Sequence, residues 1–144
     1  MINTAKIEVT TEFDPLPEMK GDESKLLQAV INIIKNACEA MISIPMQERK
    51  ITVSTFLDKE DDHYFICEVK DCGMGFDTET KEQLFNFGFT TKDSGLGFGL
   101  HACANDLFSM GGSLEAKSEG LNLGAQFILR MPFIQQVPDD SQIL

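Results

Sequence analysis

Asp71-Cys72-Gly73-Met74-Gly75-Phe76 is the stretch on which the reading of the whole chain turns. It follows residues 64–70, where Phe65, Cys67 and Val69 alternate with more polar neighbours, and that period of two predicts a strand ending at the carboxylate. Two glycines at alternate positions after an acid let backbone come close to a flat ligand. Alone, the pattern also describes an ordinary turn. Two distant partners change its weight. Upstream, Asn32 and Asn36 lie four apart on the polar face of a predicted helix; downstream, Gly95-Leu96-Gly97-Phe98-Gly99-Leu100 opens another helix.

The elements between these markers follow from periodicity. Residues 6–13 alternate Ile7, Val9 and Thr11 against Glu8, Thr10 and Glu12, which predicts a half-buried first strand, ended by Pro15 and Pro17. Asp22 or Ser24 can cap the first long helix, and Pro45 is expected to stop it. Leu27, Val30, Ile31, Ile33, Ile34, Ala37, Cys38 and Met41 fill one broad face of that helix; Gln28, Asn32, Lys35, Asn36 and Glu39 fill the other. Residues 51–57 and 63–70 read as a hairpin around the polar turn 58–62. A short helix over 78–84 is capped by Asp77 or Thr78. Phe85, Phe87 and Phe89 around a glycine suggest a packed hinge, and residues 89–95 a mobile lid. A helix over 97–109 ends at Gly111-Gly112, and a second hairpin pairs 113–117 with 125–131.

Strand, helix, two strands, short helix, helix, two strands is an α+β order. It predicts a two-layer α/β sandwich with a mixed, mostly antiparallel sheet and helices on one face. Residues 1–133 are expected to form one domain and residues 134–144 a loose tail, since 144 residues suit one core. A net charge of −11 argues against nonspecific DNA or anionic-membrane binding, and no apolar run approaches a membrane span. Cys38, Cys67, Cys72 and Cys103 form no C-x-x-C pair, which reads as reduced thiols in a cytoplasmic protein rather than a metal site.

Asn32/Asn36, Asp71-x-Gly73-x-Gly75 and Gly95-x-Gly97-x-Gly99, in that order, resemble the ATP-binding domain of sensor histidine kinases. These belong to the wider family of gyrase, heat-shock-chaperone, histidine-kinase and mismatch-repair ATPases (the GHKL group, with its Bergerat-type sandwich). The resemblance covers residues 20–132. It implies that Asp71 accepts a hydrogen bond from the adenine amine, where guanine would offer a carbonyl. It implies that Asn36 binds Mg²⁺ and that Asn32, one turn earlier, contacts phosphate or supports that site. The nucleotide would also meet Gly73, Gly75, Phe76, Thr90, Thr91, Gly95, Leu96, Gly97, Phe98, Gly99 and Leu100. Free amides at the start of the helix suit an anion. Lys92, in Phe89-Thr90-Thr91-Lys92, would meet the terminal phosphate; this short lid resembles the nitrogen-regulator type of histidine kinase. Asn32, Asn36 and Lys92 are thus the candidate catalytic residues.

Neither His63 nor His101 lies in the sequence setting of a phosphoacceptor histidine. The expected activity is therefore transfer of the ATP γ-phosphate to a histidine on a separate dimerisation hairpin of the same kinase, with a response regulator downstream. A membrane anchor on a full-length kinase stays open. Hydrolysing relatives place a glutamate four residues before the magnesium asparagine as the base for water; here that position is Asn32, which cannot take a proton. A GHKL-type ATPase and a non-catalytic nucleotide sensor are the alternative readings.

Overall fold

A five-stranded sheet carries the site. The computed structural model describes residues 6–85 and 97–135. The expected lid, with Thr90, Thr91, Lys92, Gly95 and Leu96, lies outside the described residues, as does the tail from 136 onward. The elements are β1 (Glu8–Phe13), β2 (Met19–Lys20), α1 (Glu23–Ala40), β3 (Lys50–Leu57), β4 (Tyr64–Asp71), α2 (Thr78–Gln83), α3 (Gly97–Ser109), β5 (Ser113–Lys117), β6 (Ala125–Pro132) and β7 (Ile134–Gln135), with a 3-10 turn at Met46–Glu48. The sheet order is β1-β3-β4-β6-β5. β1 runs parallel to β3, and every other neighbouring pair is antiparallel. The mixed, mostly antiparallel sandwich expected from the element order is therefore what forms.

Alternation on the two central strands decides which face is covered. Phe65, Cys67, Val69 and Asp71 of β4, with Ala125, Phe127, Leu129 and Met131 of β6, are buried beneath the helices. Their alternates, such as Glu68 and Gln126, lie on the open face. α1 packs on β4, α3 packs on β5, and the two helices pack on each other, with the Cys103 thiol 3.7 Å from Ala29 O. Ala29, Ile33 and Ala37, four apart, make the buried stripe of α1. Two alanines in that stripe let the helix sit close to its neighbours.

Burial pushes the Cys67 and Cys103 thiols up to about 11, so both stay protonated near neutral pH. At the far end of β4, Arg130 Nε donates to Asp58 Oδ2 at 2.6 Å, and the guanidinium lies 3.6 Å from the centre of the Tyr64 ring. The Arg130 hydrogen bond holds the Asp58 carboxyl below its usual value.

Four expectations are corrected. β1 is not half-buried: all six residues are exposed, Phe13 by 60%. It is the outer strand, with β3 on one edge only, so its alternation meets no second layer. The apolar face of α1 is narrower than drawn, since Leu27 and Ile31 are exposed while Ala29 is buried. α1 ends at Ala40, five residues before Pro45; Arg49 then donates to Ile44 O (2.9 Å) and Ile42 O (2.8 Å), holding the turn beyond the helix end. Ile134 and Gln135 do not begin a loose tail, because they pair antiparallel with Lys20 and Met19.

Ile33 and Ile31 separate the two sides of α1 in one experiment. Ile33 is 1% exposed and Ile31 is 43% exposed. Ile33→Ala should cost about 2–5 kcal/mol of unfolding free energy, and Ile31→Ala under about 1 kcal/mol. Urea denaturation of both variants checks this, and equal losses would contradict the packing described.

Candidate functional site

Three chain segments meet at one end of the two layers. Asp71 closes β4 and is only 5% exposed. Its Oδ1 accepts from Gly73 N at 2.8 Å and from Ala125 N at 3.2 Å. One bond closes the turn of its own motif, and the other comes from the first residue of β6. Together they fix the carboxylate in a buried place.

The motif is pinned on its helix side as well. Met74 N donates to Ala40 O at 3.0 Å, at the last residue of α1. A Cβ on Gly73 would lie 2.5 Å from that carbonyl oxygen and 2.9 Å from Ala40 Cβ. Asn36 sits one turn before Ala40 on the same flank of α1, and Asn32 one turn earlier again; both are half-buried. The two asparagines therefore form a row leading away from the carboxylate along the helix. Their position beside the buried stripe explains why polar residues there are not part of a fully solvated face.

The start of α3 is brought to the same end by topology. α3 turns into β5 through Gly111, which has φ +84°, and Gly112 N bonds back to Leu107 O at 2.8 Å. Ser113, the first residue of β5, is opposite Arg130, far from the Asp71 end, whereas Lys117 is opposite Gln126, beside it. A helix that packs back along β5 from that turn must begin at the Asp71 end. The backbone amides of its first turn, from Gly97, are thus at the end that carries Asp71 and Ala40. Thirteen residues give α3 length enough for a directed dipole.

Not every expected site residue offers a side chain. Phe76 and Leu100 are buried in the hydrophobic core, so a ligand would meet their backbone alone. Gly73 and Gly75 do admit a close approach, but the approach displayed is chain to chain: a Cβ on Gly75 would strike Gly120 O and Gly124 O. Residues 118–124 form the loop between β5 and β6. In the structure this loop is bonded along the motif, Asn122 N to Met74 O at 2.7 Å and Gly124 N to Gly73 O at 3.0 Å. No local sequence pattern marks Ser118, since its partner Phe76 lies 42 residues away.

A cleft of about 280 Å³ is lined by Asp71, Ser118, Gly124 and Ala125 together with Lys70, Lys117 and Gln126, the last three on the open face of the sheet. Asp61, Asp62 and His63 bring three possible ligand atoms within 4.8 Å on an exposed turn, the length of β4 away from Asp71, roughly 25 Å. Among the described residues no helix is long and apolar enough to cross a membrane.

Known proteins resemble this chain along most of its length. Residues 21–135 match the family model described as histidine kinase-, DNA gyrase B-, and HSP90-like ATPase. Sensor histidine kinase TmoS of Ectopseudomonas mendocina is 36% identical over 119 residues, which are 83% of this chain and 12% of that protein. Sporulation kinase C of Bacillus subtilis (strain 168) is 37% identical over 114 residues, 79% of this chain and 25% of that one. The chain thus spans a quarter or less of the length of these curated relatives. The solved catalytic domain of histidine kinase ThkA superposes with a TM-score of 0.76 at 26% identity, covering 91% of this chain and 82% of that one.

The contact of Gly73 with Ala40 predicts a cost for the smallest possible side chain. Gly73→Ala should push the motif off the end of α1, break the bond from Met74 N and lower the unfolding free energy by roughly 1–3 kcal/mol. Gly21→Ala, where an added Cβ meets nothing within 4 Å, should change it by less than about 0.5 kcal/mol. Paired thermal melts read the difference; matching curves would mean that the close contact at Gly73 is relieved without cost.

Proposed function

The chain belongs to the histidine kinase-, DNA gyrase B-, and HSP90-like ATPase family, and from that premise we propose that it is the ATP-binding catalytic domain of a sensor histidine kinase. One observation supports this above the others: a buried aspartate at a strand end, held by two amides through one oxygen, beside a helix with two half-buried asparagines. A carboxylate fixed in that way reads a hydrogen-bond donor, and the adenine amine is one. Guanine presents a carbonyl at the same place and is repelled.

Beyond the purine, the triphosphate lies between Asn36 and Asn32 on α1 and the first turn of α3. The free amides and positive dipole end of that helix receive phosphate oxygens. The donor set on α1 fits Mg²⁺: an asparagine carbonyl oxygen is a hard, neutral ligand suited to a cation whose charge the phosphates already balance. Asn36 would hold the ion, with Asn32 in support. When bound, it supplies neutralisation of the β- and γ-phosphate charge. Lys92 belongs to this proposal from sequence alone, as the point charge that meets the γ-phosphate.

The acceptor is a histidine on a dimerisation hairpin outside this sequence. A neutral imidazole nitrogen already carries its lone pair, so no base on this chain has to create the nucleophile. The N–P bond forms at the γ-phosphorus as the bond to the β–γ bridging oxygen breaks, and ADP leaves. Water is a poorer competitor because Asn32 stands where a hydrolysing relative has a glutamate. The phosphohistidine would then serve a response regulator, and the place of action is the cytoplasm.

Calorimetry and phosphotransfer to an added hairpin domain test this together. ATP and ADP with Mg²⁺ should bind far better than GTP, and Asp71→Asn should weaken adenine nucleotides by about 1–3 kcal/mol. Asn36→Asp adds a negative charge beside the phosphates; transfer should collapse while the melting curve is kept. Wild-type protein that binds ATP and GTP equally, or an Asn36→Asp variant that transfers normally, would defeat the reading. Lys92→Ala should reduce transfer more than ADP affinity, since ADP lacks the group the lysine meets. Equal losses in both would move Lys92 to the inner phosphates.

A further inference from the structure

The Asp71 carboxylate accepts from an amide at the start of β6, and a serine hydroxyl on the far side of the loop bonds the residue before that amide. Ser118 Oγ lies 2.6 Å from Gly124 O and 3.2 Å from both Phe76 N and Gly120 N. A serine hydroxyl has one proton and two acceptor sites. The proton goes to Gly124 O, the nearest acceptor, and the two lone pairs take Phe76 N and Gly120 N. The group is thereby fully used, joining the end of the Asp71 motif to both glycines of the loop.

The placement is tight. Gly75 has φ +57°, and a Cβ on it would lie 2.7 Å from Ser118 Oγ as well as striking the two glycine carbonyls. Gly124 has φ +76°, and a Cβ there would strike Asp71 O. The carbonyl that Ser118 holds belongs to the residue immediately before Ala125, whose N–H reaches Asp71 Oδ1 at 3.2 Å.

We infer that Ser118 is a positioning residue for base recognition: through Gly124 it aims the Ala125 amide at Asp71 and so holds the carboxylate in its reading orientation. This rests on the proposed reading of Asp71 as the group that meets adenine. Without the hydroxyl, Phe76 N and Gly120 N lose their acceptor and Gly124 O its donor. The loop can then relax away from the motif, and Asp71 loses the bond from Ala125 N while the bond from Gly73 N, inside its own turn, stays. The carboxylate gains rotational freedom, while the asparagine row and the start of α3 are untouched. Ser118 therefore acts on discrimination between bases and hardly on phosphate binding.

The test measures ADP and GDP affinities with Mg²⁺ by calorimetry for the full chain and for Ser118→Ala, well below the melting temperature of each. Ser118→Ala should lose about tenfold in ADP affinity and little in GDP affinity, so the ratio contracts by about tenfold. A serine that merely braces the hairpin would lower the melting temperature and leave the ratio intact, and that result overturns the inference. Should the variant not fold, amide exchange on the unaltered chain decides: ADP should slow exchange at Asn122 and Gly124 by about tenfold, and unchanged rates there overturn the inference. The two claims fail separately. Wild-type protein with no preference for ADP removes the reading of Asp71 itself. A preference abolished by Asp71→Asn yet kept in Ser118→Ala removes the role of Ser118 alone.

Discussion

A carboxylate buried at the end of a central strand has to be met by donors, because an unmet charge in that position is costly. Asp71 meets this constraint with backbone from two directions, and much of the architecture follows. The Gly73 amide requires a tight turn directly after β4, and the Ala125 amide requires β6 to start in register opposite Asp71. That register carries Val69 opposite Phe127 and Cys67 opposite Leu129, the pairs on which the helices rest. The glycines serve the same end. Gly73 clears Ala40, and Gly75 clears the carbonyls of Gly120 and Gly124, so the motif lies flat between α1 and the β5–β6 loop. Function and fold are linked here through hydrogen bonds to one side chain.

The sheet and the helices were legible because their signals are local. Phe65, Cys67 and Val69 alternate on a strand that is covered on one face, and the covered face is the one that alternation indicates. Asp22 caps α1 by accepting from Lys25 N at 3.1 Å, a choice the sequence left open between Asp22 and Ser24. β1 misleads by the same logic. Val9 and Phe13 alternate like core residues, yet among the described residues no helix covers that part of the sheet, and alternation carries no information about what lies above a strand. Ala29 escaped notice because alanine is weakly hydrophobic; its burial is dictated by how closely α3 approaches, which is a tertiary fact. Ser118 was invisible for a different reason. Its partners lie 42 residues away at Phe76 and six away at Gly124, and no period connects them.

The acidic character of the chain also has a spatial explanation. A net charge of −11 opposes a polyanionic ligand at long range. The densest acidic turn, with Asp58, Asp61 and Asp62, is at the far end of β4, well beyond a screening length of about 8–10 Å from Asp71. At the Asp71 end the first-turn amides of α3 are available to an anion, and these carry no formal charge and do not enter a count of lysines and acids. Overall charge thus reports on solubility and on unsuitable partners, and is a poor guide to this site.

β1 enters the sheet beside Lys50, whose strand neighbour Ile51 is opposite Asp71, whereas β7 leaves beside β2 after β6 has run to Pro132 at the other end. The domain therefore has a polarity along its length. A segment tethered ahead of residue 6 emerges two strand spacings from the Asp71 end, roughly 10 Å away. One tethered after residue 135 would have to travel back the whole length of the sheet. A short leash on the first side gives its cargo a high effective concentration at the Asp71 end, and lengthening it dilutes that concentration only gradually. The entry point of one exposed strand thus decides which neighbour on the same polypeptide can be served at short range.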